Sequence, residues 1–423
     1  MRPQGCKCRP SRASSRCHTP SVRSGVGAQP RSIQLYSDNP FNPGFGVPPP
    51  MMAGRQEVLH AALSALQRGP RRHDFHTILV GARGTGKTVL LAEIERAASG
   101  ESQMLAVHWS GTEALHQRLT EQRTMIEHSV RTFAKRGMRR LNGTEVTLKA
   151  APAGIGAEAK VGARHHAEPT LSTHGLLETI ARQAADRHRT IILFADEMQA
   201  ANPDDLRDLG VSLQQIANVQ GLPLALVGAG LPHTRQTLLD ARVTFLERLH
   251  LTPIGLLDDA ATRDAIEVPF VHAGRRLDPK ALDLLTNASG GYPYAIQLIG
   301  SRCWEAAGAL ADVGVVHARR AVRETRQYLE ENVFEGTWRR ISPADRYVLY
   351  IAAAQSDSND TAETSAIARA MNRPIASITA PRDRLINRHG VLYAPERGVV
   401  RFILPGFAAW VHRHGQQPQR QGS

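Results

Sequence analysis

The stretch with the clearest capacity for chemistry runs from Thr77 to Thr88 and reads TILVGARGTGKT. Its first four residues are β-branched or aliphatic and predict a buried strand that ends at Gly81. The spacing that follows, Gly81-x-x-x-x-Gly86-Lys87-Thr88, is that of a phosphate-binding loop, and helix-forming residues come directly after it. Such a loop points backbone N–H groups at a phosphate, in front of the positive end of the new helix. We therefore expect a phosphate site here rather than a chance glycine-rich turn.

Two side chains of this loop have distinct predicted roles. Lys87 can reach the β- and γ-phosphates of a nucleotide, and the Thr88 hydroxyl can ligate Mg²⁺. ATP and Mg²⁺ are therefore the predicted cofactors. The predicted nucleotide-binding residues of the loop are Gly81, Ala82, Arg83, Gly84, Thr85, Gly86, Lys87, Thr88 and Val89.

A pair of carboxylates follows a second apolar run. Residues 190–195, TIILFA, read as a strand that is buried on both faces of a parallel sheet, and Asp196 and Glu197 come directly after it. Because ligands bind outside the carboxyl ends of the strands in open α/β sheets, these carboxylates should lie beside the phosphate loop. Asp196 would then hold Mg²⁺, and Glu197 would be the general base that polarises the attacking water. Glu197 and Lys87 are thus predicted catalytic residues.

The elements that position these groups alternate between strands and helices. From residue 46 to residue 253 this alternation predicts an α/β domain of the P-loop NTPase class, with a doubly wound parallel sheet and an irregular insertion at about 141–169. Residues 254–333 show helical patterns only and predict an all-α lid that can close over the nucleotide. Residues 1–45 and 414–423 are predicted to be disordered tails.

Residues 334–413 predict a third unit, a winged-helix domain. Ser342-Pro343 marks a helix start, a second short helix follows, Pro381 opens a third helix over 382–388, and a β-hairpin ends the unit. The unit from 342 to 413 holds nine basic and six acidic residues, which is only mildly basic, so a DNA-binding face and a solvated face of an interaction module both remain open. Arginines of the third helix and the hairpin form the candidate surface for double-stranded DNA: Arg382, Arg384, Arg388, Arg397 and Arg401.

Composition narrows the class of protein. The 423 residues are 42% apolar and 22% charged, as in globular domains. Residues 1–37 hold seven basic and no acidic side chains, so the net charge of +13 falls to +6 for the remainder. Such a tail can bind nucleic-acid phosphates, although a disordered leader is the simpler interpretation.

Cys6, Cys8 and Cys17 with His18 fit no common zinc spacing. Without a membrane-spanning run, a signal core or a disulfide framework, we expect a cytoplasmic protein.

The two nucleotide motifs, the helical lid and the winged helix together resemble AAA+ (ASCE-type) ATPases of the origin-recognition and initiator branch, over about residues 50–410. The STAND signalling ATPases have the same order of domains. The resemblance implies that Gly54-Arg55 lies near the adenine, which adds Arg55 to the nucleotide-binding residues. It also implies that an arginine after the fourth strand acts catalytically on the γ-phosphate of a neighbouring subunit, and Arg248, or else Arg242, is the candidate. A homo-oligomer on ATP binding would follow.

Two departures from that family pattern bear on activity. The fourth strand ends in GAG at residues 228–230, where these ATPases have a polar residue that orients the water, and the lid has GYPY at residues 291–294, where initiators have an arginine. We therefore expect slow, switch-like hydrolysis in which the nucleotide state sets the domain arrangement. DNA is the predicted target; a regulatory switch with protein partners and a binding module without turnover are the alternatives.

Overall fold

The computed structural model describes residues 39–44, 46–70, 72, 74–101, 103–125, 171–242, 245 and 249–415. The predicted insertion at 141–169, Arg248 and the three N-terminal cysteines lie outside the described residues. Within the described ranges, no helix combines the length and the apolar character needed to cross a membrane.

A five-stranded parallel sheet forms the centre of the first half of the chain, as predicted. Its strands are β1 (Thr77–Val80), β2 (Met104–Ser110), β3 (Thr190–Asp196), β4 (Leu224–Gly230) and β5 (His250–Pro253), in the spatial order β2-β3-β4-β1-β5. The register pairs Val80 with Gly230, and Ser110 with Asp196. The carboxyl ends of β1, β3 and β4 therefore lie together at one edge, where ligands bind in such sheets.

Helices cover both faces of this sheet. They are α1 (Gln56–Arg68), α2 (Lys87–Gly100), α3 (residues 115–125), α4 (Thr173–Ala185), α5 (Pro203–Leu213) and α6 (Thr234–Asp240). Successive residues of β3 pack on opposite faces of the sheet. Leu193 belongs to the hydrophobic cluster that includes residues of α4 and α5, whereas Phe194 belongs to the cluster that includes residues of α1 and α2. Burial on both faces explains why the TIILFA run is continuously apolar.

Four longer helices follow the sheet and correspond to the predicted lid. They are α7 (Asp259–His272), α8 (Pro279–Ser289), α9 (Pro293–Ala307) and α10 (Val315–Leu329). The carboxylates of Asp258 and Asp278 accept from backbone N–H groups in the first turns of α7 and α8, which fixes where these helices begin. The sequence pattern did not indicate the two short strands β6 (Arg276–Leu277) and β7 (Asp312–Val313), which pair with each other between the helices.

The segment before α1 packs on this helical part of the chain. Phe41 is 4% exposed; its ring lies 5.2 Å from that of Phe270, and it fills the space that a side chain at position 300 would need. The backbone N–H of Asn42 donates to the Gln297 side chain at 3.1 Å. The predicted tail boundary at residue 45 is therefore wrong, because residues 39–44 already have packed partners. Proline-rich composition predicts disorder for this stretch, whereas Phe41 gives it an apolar side chain that can be buried.

The last part of the chain, which we call the C-terminal module, covers residues 335–414. It contains α11 (Glu335–Arg339), α12 (Pro343–Ala354), β8 (Thr361–Glu363), α13 (Thr364–Ala370), α14 (Ile375–Asp383), β9 (Leu392–Tyr393), β10 (Val399–Phe402) and α15 (Phe407–His414). Its strands form an antiparallel sheet in the order β8-β10-β9. A π-helical turn, Arg384–Arg388, continues α14.

Helix α14, which corresponds to the third helix of the predicted winged helix, begins seven residues before the predicted start, at Ile375 rather than after Pro381. Pro374 takes the N-cap position, and Pro381 lies inside the helix. A proline removes the hydrogen bond to the carbonyl four residues earlier. Here that carbonyl belongs to Ser377, an exposed residue of the first turn, where water can satisfy it. The prediction that Pro381 opens the helix is thus wrong.

Candidate active site

The loop between β1 and α2 has the backbone geometry of a phosphate-binding loop. Gly84 and Gly86 have positive φ angles of 74° and 87°, and the N–H of Leu90 donates to the Gly86 carbonyl at 2.9 Å, so α2 begins directly at Lys87. The Thr85 hydroxyl donates to the Ala82 carbonyl at 2.9 Å and holds the turn from inside. The N-terminal end of a 14-residue helix therefore faces the loop and favours an anion there.

Tyr292, which the sequence reasoning did not select as a site residue, lies directly on this loop. Its hydroxyl donates to the Arg83 carbonyl at 3.2 Å, and a Cβ at Gly84 would come within 1.9 Å of that hydroxyl oxygen. Burial raises the pKa of Tyr292, so the phenol is neutral and acts as a donor. The helical part of the chain thus contacts the loop through a tyrosine of the GYPY sequence, which is why position 84 requires glycine.

Lys87 lies at the first position of α2 and points back into the loop. Its ammonium donates to the Ala82 carbonyl at 2.7 Å. Burial lowers the pKa of Lys87 to about 8, and the nearby carboxylates of Glu197 and Asp196 oppose that shift. A partly desolvated ammonium gains more from an incoming phosphate than an exposed one does, because fewer water contacts compete.

Thr88 and Asp196 meet although they are far apart in the sequence. The Thr88 hydroxyl donates to Asp196 Oδ2 at 2.8 Å, and Asp196 Oδ1 accepts from the Glu197 N–H at 2.8 Å. The Thr88 hydroxyl, from the loop, and the Asp196 carboxylate, from the end of β3, are hard oxygen ligands of the kind that Mg²⁺ takes in proteins. The donor set therefore fits the expected metal, which Thr88 and Asp196 would hold.

Glu197 follows Asp196 with a left-handed backbone conformation, φ 52°, and its side chain is exposed and lines the cavity. Left-handed conformations at non-glycine residues cluster at functional sites, because the surrounding structure must hold them in place. The carboxylate accepts a hydrogen bond from the side-chain amide of Gln199. The two predicted carboxylates thus have different surroundings, with Asp196 at the loop and Glu197 facing the cavity.

A cavity of about 280 Å³ adjoins the loop. Its polar wall comes from the loop and Glu197, and its apolar wall comes from four separate regions of the chain. The apolar lining residues are Val47, Pro49, Met51, Met52, Leu231, Leu257, Ala265, Pro293 and Ile296. An apolar wall next to an anion-binding loop suits a ligand with a flat ring at one end and phosphates at the other.

Arg55 lines this cavity, but its guanidinium is already engaged. It donates to the backbone carbonyls of Thr85 and Gly255 and so ties the loop to the chain after β5. Burial lowers the pKa of Arg55, and Asp258 partly offsets that shift. Its predicted position near the adenine is compatible with this contact, and its visible role is to hold the loop.

Two predictions about arginines concern the surroundings of the cavity. Arg242, the alternative to Arg248 for an arginine that acts on a neighbouring subunit, ends the turn after α6 with φ 55° and does not line this chain's own cavity. The sequence GYPY predicts that the lid side lacks an arginine. The side chains that α9 contributes, from Pro293, Tyr294, Ile296 and Gln297, carry no charge. Among the described residues, only Arg55, Arg83 and Lys87 bring positive charge to the cavity wall.

The arginines predicted to contact DNA have different surroundings. Arg384 forms a bidentate ion pair with Asp345, whose side chain is 1% exposed, at a shortest distance of 2.6 Å. Arg382 is partly buried and reaches the Val399 carbonyl at 3.5 Å. Arg388 and Arg397 are exposed. The prediction of one continuous arginine surface is therefore wrong for Arg384, which stabilises the inside of the module.

The C-terminal module touches the phosphate loop. A Cβ at Gly390 would lie 3.8 Å from that of Ala82, and Ala82 belongs to the same buried cluster as Leu385 and Val391. A second contact joins His233 Nδ1 to the Asn387 carbonyl at 3.2 Å, next to the end of β4. The loop thus has contacts with the helical lid region on one side and with the C-terminal module on another.

Comparisons with known proteins agree with this architecture. Residues 52–227 match the family model of the AAA ATPase domain, and residues 331–411 match a family described as a domain of unknown function (DUF8462). No curated protein matches the sequence.

The Walker-type ATPase paby2304 of Pyrococcus abyssi has a TM-score of 0.56 and 13% identity, over 86% of this chain and 96% of that chain. The Aeropyrum pernix ORC2 protein, solved in ADPNP–ADP complexes, has a TM-score of 0.53 and 15% identity, over 88% and 95%. Residues 52–227 are thus similar to the AAA ATPase domain, and the fold is similar to those of these two solved proteins.

Proposed function

We propose that this protein binds Mg-ATP at the loop Gly81–Thr88, hydrolyses it slowly, and uses the nucleotide state to set the position of its C-terminal module. The observation that carries the proposal is the meeting of Thr88 and Asp196 at 2.8 Å, with Lys87 and Glu197 facing the same cavity. A phosphate-binding backbone, a metal-ligating pair and an exposed carboxylate are the parts that phosphoryl transfer to water requires.

The hydrolytic step follows from these positions. The Glu197 carboxylate takes a proton from a water molecule as the water oxygen forms a bond to the γ-phosphorus. The bond between the γ-phosphorus and the bridging oxygen breaks, and its electron pair leaves with ADP, so the products are ADP and inorganic phosphate. Glu197 is exposed and can return its proton to solvent. Lys87 stabilises negative charge on the phosphates, and Mg²⁺, when bound by Thr88 and Asp196, would neutralise phosphate charge.

The substitution Glu197→Gln tests the assigned base. We expect ATP affinity to change less than about threefold and turnover to fall by about 100-fold or more, because general-base catalysis contributes roughly this much. Fluorescent-nucleotide titration and phosphate release measure the two quantities. Glu101→Gln, an exposed residue just after α2, is the matched control. Unchanged turnover in Glu197→Gln would show that the base lies elsewhere.

The switch part of the proposal is supported by the contact between the C-terminal module and the loop. Ala82 packs against Gly390, while its carbonyl accepts from both Thr85 and Lys87. A phosphate that draws Lys87 away from this carbonyl changes the contacts of Ala82 on its other side. Because packed interfaces have discrete arrangements, a small change at the loop can shift the whole module.

DNA binding is a second candidate function. The order helix, strand, helix, helix and two strands in the C-terminal module is that of a winged helix. The exposed side of α14 presents Ser377 and Thr379, Arg373 precedes it, and Arg388 and Arg397 are exposed nearby in the chain. These side chains, rather than Arg384, form the candidate DNA surface.

A salt series distinguishes DNA from protein as the target. The full chain is titrated with duplex DNA at several salt concentrations, with Mg-ATP and with Mg-ADP. If DNA is the target, the double variant Arg373→Ala with Arg388→Ala binds more weakly and with a smaller salt slope, by about one per lost phosphate contact. Arg207→Ala, an exposed residue of α5, is the control and should leave both unchanged. An identical slope in the double variant assigns any binding to another part of the chain.

A further inference from the structure

The carboxyl end of β4 has a polar group that its own sequence does not provide. Gln199 lies in a short 3₁₀ turn, Met198–Ala200, directly after Glu197. Its Oε1 accepts from the N–H of Leu231 at 2.9 Å and would lie 3.1 Å from a Cβ at Gly230. The Thr234 hydroxyl lies closer still, 2.1 Å from that Cβ position, so the end of β4 is bordered by two polar side chains from other parts of the chain, and Gln199 is the one bonded to Glu197.

The orientation of this amide follows from its two partners. A backbone N–H can only donate, so it must face the amide oxygen of Gln199, and the carboxylate of Glu197 can only accept, so it must face the amide nitrogen. In the opposite orientation, the amide oxygen would face the Glu197 carboxylate and the amide nitrogen would face the Leu231 N–H, so neither hydrogen bond could form. The nitrogen has two N–H groups, and the bond to Glu197 uses one of them.

The turn that carries Gln199 is fixed by its packing. Met198 is fully buried, and its sulfur fills the space that a side chain at Gly228 would need. On the other side, the Glu197 carbonyl lies 2.4 Å from where a Cβ at Gly111 would be. Glycines at both positions let the turn approach β4 and the chain after β2 closely. Gln199 therefore projects from a rigid base, as a residue that orients a catalytic group must.

We propose that Gln199 is the positioning residue for hydrolysis: it links Glu197 to the end of β4 and holds the carboxylate toward the attacking water. This inference rests on the proposed function, because it assigns a role within the same reaction. Glu197 is exposed and has a long side chain, so without the amide it would populate several rotamers and only some would face the water.

The substitution Gln199→Ala tests this role. We expect phosphate release to fall about 10- to 100-fold while ATP affinity changes less than about threefold, because positioning acts on the transition state and not on nucleotide binding. Binding of ADP with aluminium fluoride should weaken by a similar factor relative to ADP alone, which is a readout independent of turnover. Gln215→Ala, an exposed glutamine after α5, is the matched control and should leave all three quantities unchanged.

The substitution Gln199→Glu separates positioning from a merely structural role. A carboxylate in this place can still accept from the Leu231 N–H but cannot donate to Glu197, so phosphate release should fall at least as far as in Gln199→Ala. A residue that only supports the fold through its bond to Leu231 would keep turnover in this variant near that of the unaltered protein. Melting temperatures of both variants establish that they are folded.

The outcomes are distinct. If the unaltered protein hydrolyses ATP, Glu197→Gln stops turnover and Gln199→Ala does not slow it, the role of Gln199 is overturned and the proposed function stands. Turnover in Gln199→Glu that stays within about threefold of the unaltered protein overturns it as well. If the unaltered protein neither binds nor hydrolyses ATP, the proposed function fails, and this role fails with it.

Discussion

At the scale of single residues, Lys87 combines two properties that bear on nucleotide binding. Its ammonium is held by the Ala82 carbonyl at 2.7 Å, and burial lowers its pKa to about 8 despite the nearby Glu197 and Asp196. A bound triphosphate would stabilise the charged form and raise that pKa again. Proton binding at Lys87 and nucleotide binding are therefore linked.

The linkage gives a prediction with a definite sign. Between about pH 7.5 and about pH 9.5, the free protein loses the Lys87 proton, so the affinity for ATP should fall by about tenfold or more as the pH rises. Fluorescent-nucleotide titrations at fixed ionic strength measure it. Lys87→Arg keeps its charge over this range, so its affinity, whatever its absolute value, should be flat with pH. A flat profile in the unaltered protein, or the same slope in Lys87→Arg, contradicts the assignment.

The site residues that the sequence predicts lie in short contiguous motifs, whereas those that it misses act through contacts between residues far apart in the chain. The phosphate loop is contiguous, and Asp196-Glu197 follows a recognisable strand, so spacing alone selected them. Gln199 and Tyr292 act through contacts that span 32 and 209 positions in the chain. Nothing in the local pattern indicates that an amide will fill the end of another strand, or that a tyrosine will lie on a glycine. Arg384 was assigned to DNA because its charge is visible in the sequence and its pairing with Asp345 is not.

At the scale of elements, the ion pair of Asp345 and Arg384 holds α12 against the turn after α14. Asp345 is 1% exposed; its carboxylate accepts three hydrogen-bond contacts from Arg384, and His389 lies 3.5 Å away. Burial alone would raise the pKa of Asp345, but hydrogen bonds from Arg384 and Ser342 bring it below its ordinary value. The carboxylate is therefore charged near neutral pH, and the pair contributes fully there.

Removing this charge should destabilise the fold. Asp345→Asn is expected to cost about 2 kcal/mol in the free energy of unfolding, less than the loss of a fully buried pair, because Arg384 is 39% exposed. The loss should be largest at neutral pH and should vanish as the pH falls through the lowered pKa, where the native carboxyl is neutral too. Urea unfolding of both proteins, at neutral pH and at a pH below the lowered pKa of Asp345, measures this difference in the free energy of unfolding. Glu335→Gln breaks an exposed pair with Arg339 and should change stability by no more than about 0.5 kcal/mol. Equal effects of the two variants would contradict the structural role of Asp345.

The order of the elements was predictable for the sheet and less so for the C-terminal module. The central strands β1, β3 and β4 are mostly apolar and buried, and helical patterns separate them, so the sequence predicts their places. The start of α14 is not where Pro381 predicts it, because a proline is tolerated inside a helix when the lost hydrogen bond belongs to a carbonyl of the exposed first turn. The actual start, at Pro374 and Ile375, follows Asn372, whose φ of 52° ends the preceding helix turn.

At the scale of the whole molecule, the phosphate loop is contacted from several sides. Tyr292 reaches it from the helical lid region, Arg55 ties it to the chain after β5, and Gly390 of the C-terminal module packs on Ala82. Residues from the ranges 42–44 and 46–53 line the cavity beside it. A ligand at the loop therefore touches, directly or through one residue, each major part of the described chain, which is the arrangement that a nucleotide-controlled switch requires.

The measurement that tests this switch most directly is a distance between the core and the C-terminal module in two nucleotide states. Spin labels are placed at Gln236 on α6 and Ser377 on α14, both exposed, in a Glu197→Gln chain whose four native cysteines are replaced. We expect the distance distribution with Mg-ATP to differ from that with Mg-ADP by several ångströms, as for rigid-body movement of a packed domain. Identical distributions in the two states, with nucleotide binding verified in both, would contradict the switch.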